Sequence, residues 1–304
     1  MSPPVRDALS SEPPRVPAIP LQCAPPPVAA MPRESSTLPA ASSSARQFSG
    51  EAVNARPFTR PAEALEIVPG LIVSQHGGEG KANQYFLRGF DLDHGSDMAL
   101  YLDGMPLNMR THGHAQGYAD ANLLIPELLG SVTARKGPYS AEDGDFSSAG
   151  SIYLQYRDKL DKGFWQAMGS GFGYGCVLGG KSWDQADGTI LGAVEAGLYD
   201  GPWERPDSLR KINGMPRWSR GTQEDGASLT GMAYANRWHS TDQMPERAVY
   251  GGYKSLWGTM NPTDGGDMTR FSVRFPEGRS APVRFRRRQN FPPGGVAWSS
   301  RESA

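Results

Sequence analysis

The sequence contains only two cysteines, Cys23 and Cys176, and no long apolar run. The cysteines form no CxxC or other metal-ligand spacing. No stretch of ~18 consecutive apolar residues occurs, so no transmembrane helix is expected. A membrane β-barrel would show no such run either, because its strands alternate apolar and polar side chains.

An excess of charge of one sign is also lacking. The 31 Lys and Arg residues balance 32 Asp and Glu residues, so we expect no nucleic-acid partner. The sequence has no GxSxG elbow, HExxH motif or P-loop, and we predict that the chain is not an enzyme. In residues 1–30 prolines interrupt the most apolar stretch, so the chain as given shows no signal peptide.

Glycine and proline, in contrast, are abundant, with 37 and 26 residues, and favour turns and short strands. Residues 1–50 are rich in Pro, Ser and Ala and are predicted to be a disordered low-complexity segment. Residues 276–304 break the pattern that precedes them and contain Arg286-Arg287-Arg288. We expect an irregular tail there, as in an out-of-frame end, so both termini are predicted to be disordered.

Residues 51–158 are predicted to form one small α+β domain. Short helices are expected at 60–68 and 121–129. Strands are expected at 71–75, 84–90, 98–102, 132–136 and 151–156, with 107–110 as a hairpin partner of 98–102. The dipeptide Asp103-Gly104 predicts the hairpin turn.

Residues 159–275 show a different pattern, in which segments of about ten residues alternate small and large side chains. This pattern is typical of membrane barrel strands and predicts a partial transmembrane β-barrel of about six strands. The segments are 164–172, 189–199, 228–238, 250–257 and 268–275.

Three groups of motifs follow one another in residues 60–152. The first is an apolar helix closed by Pro69-Gly70, and the second combines Arg88-Gly89 with Asp103-Gly104. The third joins Ile125 to Leu129, Lys136-Gly137-Pro138 and Ala149-Gly150-Ser151-Ile152. In this order they resemble the plug domain of TonB-dependent outer-membrane receptors of the siderophore type. The fold class implied is an α+β plug domain followed by an incomplete antiparallel β-barrel.

This resemblance implies a receptor in the outer membrane that takes up ferric siderophores or a similar metal complex. The metal chelate would be the transported ligand, no cofactor would be required, and TonB would be the energising partner. Arg88 matches the arginine of the family's RG strand, and Lys136 stands where the family's RGP turn has arginine. Both residues are expected to contact the barrel wall.

The cluster of histidines beyond the hairpin turn is the candidate ligand site. His112, His114, Gln116 and Tyr118 are expected to face the substrate. A metal site built from His94, His112 and His114 is the alternative, because His112 and His114 would share one face of a strand.

The length of residues 159–275 is too small for the ~22 strands that a plugged transporter needs. The sequence therefore predicts a truncated or frame-disrupted, non-transporting form. Two other classes stay open: a soluble periplasmic ligand- or metal-binding module, and a metal-dependent hydrolase built on the three histidines.

Overall fold

The computed structural model describes residues 44–275 except 76, 78, 114–115, 222–225 and 242, together with the backbone of a strand at 297–303. The N-terminal domain contains β1 (Ala45–Ser49), α1 (Gly50–Asn54), β2 (Leu71–Ser74), β3 (Gln84–Leu87), β4 (Phe90–Asp91), β5 (Met98–Leu102), β6 (Met105–Pro106), β7 (Leu129–Lys136) and β8 (Gly150–Tyr156). Short 3-10 helices span Pro61–Ile67, Pro126–Leu128 and Ala141–Asp143.

A second sheet follows and is called the wall sheet below. Its strands are β9 (Phe164–Gly169), β10 (Gly175–Gln185), β11 (Gly188–Tyr199), β12 (Leu209–Gly221), β13 (Gly226–His239), β14 (Gly265–Arg274) and β15 (Ala297–Ser303), and α2 (Glu246–Tyr250) lies between β13 and β14.

The N-terminal domain is built on a five-stranded sheet in the order β1-β7-β8-β5-β6. β5 and β8 run parallel, and the other pairs are antiparallel. A three-stranded sheet, β2-β3-β4, packs on the same core. Asp103 and Gly104 have φ values of 50° and 73°, which confirms the predicted hairpin turn between β5 and β6.

Each strand of the wall sheet pairs with its neighbours in the chain, and every pair is antiparallel. The described strands form an open sheet, with β9 and β15 at its edges. Along β12, Lys211, Asn213 and Arg217 point inward and are buried, whereas Ile212 is exposed. The face towards the N-terminal domain is thus partly polar and the outer face apolar. Within the described part of the chain, no helix is long and apolar enough to span a membrane.

Two predicted elements are wrong. Residues 121–129 were expected to be helical, but only Pro126–Leu128 form a 3-10 turn. Their apolar side chains are buried by distant parts of the chain, which produces helical spacing without a helix. Residues 250–257 were expected to be a strand, but they form turns after α2, and Tyr250 and Tyr253 are exposed.

Four strands lie where none was predicted: β1, β10, β12 and β15, the last of which pairs with β14 inside the tail that was expected to be irregular. β1 falls in the segment expected to be disordered, because it gains its hydrogen bonds from β7, about ninety residues further on. β10 and β12 were missed because glycines and inward-facing charges weaken their apolar alternation. The expected partner of β5 at 107–110 was misplaced, since the strand that pairs with β5 is β6 at Met105–Pro106. The predictions for 1–43 and most of 276–304 concern residues outside the described range.

Candidate functional site

The candidate ligand residues lie on a hairpin that we call the His112 hairpin, residues 107–119. The backbone N–H of Met109 donates to Tyr118 O, and the N–H of Gly117 donates to Met109 O, both at 2.8 Å. The buried Asn108 fixes the base of this hairpin. Its amide donates to three backbone oxygens, and its Oδ1 accepts from the Leu100 N–H at 2.7 Å. The tip therefore stands on a rigid stem.

His112 is half-buried and stacks on Tyr118, with ring centroids 3.9 Å apart and planes inclined by 13°. Tyr118 is itself buried, and its hydroxyl accepts a hydrogen bond from the Ala82 N–H at 2.8 Å. Gln116 is exposed at the tip. Of the residues expected to face a substrate, His112 and Gln116 are thus accessible, while Tyr118 supports His112 from below. His114 lies outside the described residues.

His94 belongs to the interior of the domain. It is 1% exposed, and its Nδ1 lies 3.2 Å from Asn83 O. Its ring centroid is 5.5 Å from that of Tyr118. Among the residues that the structure describes, no group of three His, Cys, Asp or Glu could hold a metal ion. The alternative metal site therefore gains no support from its described members, His94 and His112.

Arg88 and Lys136 meet on another side of the domain. The Arg88 Nη1 donates to Lys136 O at 3.4 Å, and Lys136 Nζ donates to Pro69 O. With Arg46 they line a surface cavity of about 260 Å³ whose described lining contains no acidic side chain. Burial, and then the nearby Arg46 and Arg88, lower the pKa of Lys136. The contacts that the structure describes for Arg88 and Lys136 lie within the N-terminal domain, so a contact with the wall stays a prediction.

One contact between the N-terminal domain and the wall sheet is centred on Arg217 of β12. Its Nη2 lies 3.0 Å from Asp103 Oδ1, and both side chains are less than a tenth exposed. Its Nη1 also donates to the backbone oxygens of Tyr156 and Arg157, at 2.9 and 3.0 Å. A guanidinium can serve several acceptors at once because its donors form a fixed fork. Arg217 therefore ties the hairpin turn and the end of β8 to the wall.

Nearer the His112 hairpin, the loop at 79–82 links the domain to β13. The amide of Asn236 donates to Gly80 O at 3.2 Å. Gly80 lies against the indole of Trp238, which leaves no room for a Cβ atom. The N–H of Ala82 in the same loop holds Tyr118. The hairpin thus stands near the end of the wall sheet where β13 enters the loop at 240–264.

A buried carboxylate, that of Asp207, lies at the same end of the wall sheet. Asp207, in the loop between β11 and β12, is fully buried, and neither of its carboxylate oxygens makes a hydrogen bond within the described residues. The Trp203 indole and the backbone of Glu79 lie close to this carboxylate and act to lower its pKa. Burial, followed by the charge of Glu79, raises the pKa of Asp207 to about 7. Glu79 itself pairs with Arg60 through two contacts of 2.7 and 2.8 Å.

Sequence reasoning missed Arg217 and Asp207 because the residues they contact are distant in the chain. One signal was present in β12, where Lys211, Asn213 and Arg217 alternate with apolar or small residues. In a wall that encloses a polar domain, the polar positions of such a strand point inward.

Residues 37–151 match the family described as TonB-dependent Receptor Plug Domain. Several solved structures share the fold. The copper transporter OprC has a TM-score of 0.56 and 16% identity, over 83% of this chain and 37% of that chain. The ferric citrate transporter FecA in its unliganded form has a TM-score of 0.58 and 13% identity, over 77% and 37%. The siderophore receptor PirA from Acinetobacter baumannii has a TM-score of 0.52 and 10% identity, over 78% and 38%.

These identities are low, so the likeness to the solved structures shows the fold alone. The chain spans little more than a third of the length of each of these three structures.

Proposed function

We propose that the chain, whose residues 37–151 match the TonB-dependent receptor plug domain family, is the plug and adjoining wall of an outer-membrane receptor for metal chelates. The family is one of transport receptors and not an enzyme class. The ligand class proposed is a ferric siderophore or a similar metal complex. TonB as the energising partner is part of the proposal and rests on the family alone.

The observation that carries the proposal is the division of the wall sheet into two faces. Its inner face holds the plug through buried polar contacts such as that of Arg217 with Asp103. Its outer face exposes large apolar side chains: Trp165, Val177, Val194, Leu198, Ile212, Leu229, Phe271 and Val273. A continuous apolar face of this kind fits the lipid-facing band of an outer-membrane barrel. It disfavours the soluble periplasmic module, because such a patch in water promotes association.

The His112 hairpin is the part of the plug that we propose meets the ligand. His112 and Gln116 are accessible at its tip. The loop at 240–264, which follows the end of β13, exposes Tyr250 and Tyr253. Together they offer an imidazole, an amide and two phenol rings, a combination that suits a ligand with both aromatic and polar groups.

Binding by the full chain in detergent micelles tests this proposal. The probes are ferric citrate, a ferric catecholate and the cupric ion, titrated against tryptophan fluorescence. We expect one of them to bind, and His112→Ala to raise its Kd about tenfold, the equivalent of one good polar contact. The matched control is His239→Ala, since His239 is an exposed wall residue that pairs with Arg205.

Two results would count against the proposal. The first is that none of the three probes binds to the folded chain. The second is that His112→Ala and His239→Ala bind the probe equally well.

A further inference from the structure

The two ends of the His112 hairpin lie against the same residue of the wall sheet. The hairpin leaves β6 at Pro106 and ends before Asp120. Arg270, in the middle of β14, is 4% exposed and points inward. Both ends of the hairpin approach it.

At the first end, Arg270 Nη2 donates to Pro106 O at 2.6 Å. At the second end, the carboxylate of Asp120 faces the Tyr234 hydroxyl of β13, and it also interacts electrostatically with the Arg270 guanidinium and, more weakly, with Lys211. Asp120 is 4% exposed, and its Oδ1 accepts from the Asn122 N–H at 2.8 Å. The buried guanidinium of Arg270 thus interacts with the Pro106 carbonyl at one end of the hairpin and with the Asp120 carboxylate at the other.

We propose that Arg270 is a positioning residue for ligand capture, which holds both ends of the His112 hairpin against β14 and so fixes where its tip stands. The planar guanidinium can address two acceptors in different directions, which a lysine ammonium on a flexible stem does less well. The capture role rests on the proposed function. The contacts of Arg270 with the two ends of the hairpin are called the clamp below. The clamp is a property of the plug and the wall and needs no ligand.

If the contact of Arg270 with Pro106 opens, the first end of the hairpin loses this hydrogen bond to β14, and of its described partners on the wall Asp120 keeps only Tyr234 and Lys211. The stem of the hairpin is held within the plug by Asn108 and by the backbone pairs of Met109 with Tyr118 and Gly117. These bonds keep the hairpin intact but do not attach it to the wall. Weakening the contacts of Arg270 should therefore increase the local opening of the His112 hairpin, while the rest of the plug stays protected from proteolysis.

Limited trypsin digestion of the full chain, folded in detergent micelles, measures this opening. Arg110 lies exposed at the hairpin tip, and Arg88 lies exposed at a turn of the same domain that Arg270 does not touch. The readout is the rate of cleavage after Arg110 divided by that after Arg88, determined by mass spectrometry. A general loss of structure raises both rates, whereas release of the hairpin raises the rate at Arg110 alone.

Arg270→Lys should raise the ratio about tenfold, because one charge-assisted hydrogen bond is lost without removal of a tryptic site. The matched control is Arg274→Lys on the same strand, whose guanidinium lies over Gly104 and not at the ends of the hairpin. The control should leave the ratio unchanged. An unchanged ratio for Arg270→Lys, or an equal rise for both variants, overturns the proposal.

Asp120→Asn provides the second variant if Arg270→Lys does not fold. It removes the charge at one end of the hairpin and should raise the ratio about threefold. No rise in this variant overturns the clamp. A failure of every chelate to bind overturns the proposed function, whereas the cleavage ratio still decides the clamp by itself.

Discussion

Replacing Asp207 by Asn removes a buried carboxyl group from the contact between the wall and the plug loop that carries Glu79. Burial, and then the neighbouring Glu79, raise the pKa of Asp207 from 3.8 to about 7. A difference of about three pKa units corresponds to ~4 kcal/mol between the two protonation states. The side chain is fully buried, so solvent screening does little to reduce this value.

The sign follows from linkage. Asp207 has a higher pKa in the folded state, so folding favours its protonated form. The stability of the folded chain therefore falls as the pH rises from about 4 to about 7 and levels off above that range. Asp207→Asn mimics the protonated form. It should match the wild type near pH 4 and exceed it at pH 8 by up to ~4 kcal/mol.

Denaturant unfolding in detergent micelles, followed by tryptophan fluorescence between pH 4 and pH 8, measures this difference. Asp120 also has a raised pKa, of about 6, so the wild type and the variant must be compared at each pH. Asp161→Asn, at an exposed position, is the control and should change little. The reasoning is refuted if Asp207→Asn is no more stable than the wild type at pH 8, or if its advantage does not shrink towards pH 4.

Three further predictions concern the plug stem, the wall contact and the outer face. Asn108→Ala should lower stability by about 2–4 kcal/mol, because four buried backbone groups lose their partner; a melting temperature equal to that of the wild type would contradict this. Arg217→Met should cost about 3–5 kcal/mol in denaturant unfolding, since it takes away the buried ion-pair partner of Asp103, and adding Asp103→Asn should recover part of the loss. Trp165 is 80% exposed, so in vesicles of brominated lipid Trp165→Phe should remove a large share of the quenched fluorescence, while Trp203→Phe should not.

The turn motifs of the plug were predictable because they depend on the backbone preferences of adjacent residues. The Asp103-Gly104 turn requires positive φ at both residues, and the sequence supplies the residue types that tolerate it. Residues 121–129 were predicted wrongly because burial by distant strands created a helical spacing of apolar residues. The short edge strand β1 was missed for a related reason, since its hydrogen-bond partner is far along the chain.

The candidate site was predictable only in part. The motifs of the plug led to the segment that contains His112 and Gln116, both of which are accessible. Its supports were not predictable, because the stacking of His112 on Tyr118 and the contact of Arg270 with Pro106 depend on tertiary packing. A sequence shows that an inward-facing arginine exists on a strand, but not which carbonyl it will meet.

Hydrogen exchange of the full chain with and without a bound ferric chelate tests the central claim most directly. Amide protection across the His112 hairpin should increase on binding, above all near Gln116 and Gly117 at its tip. The β10–β11 hairpin, distant from the proposed site, should show no change. Protection that appears elsewhere in the plug, or a hairpin that exchanges equally fast with and without the chelate, would contradict the account.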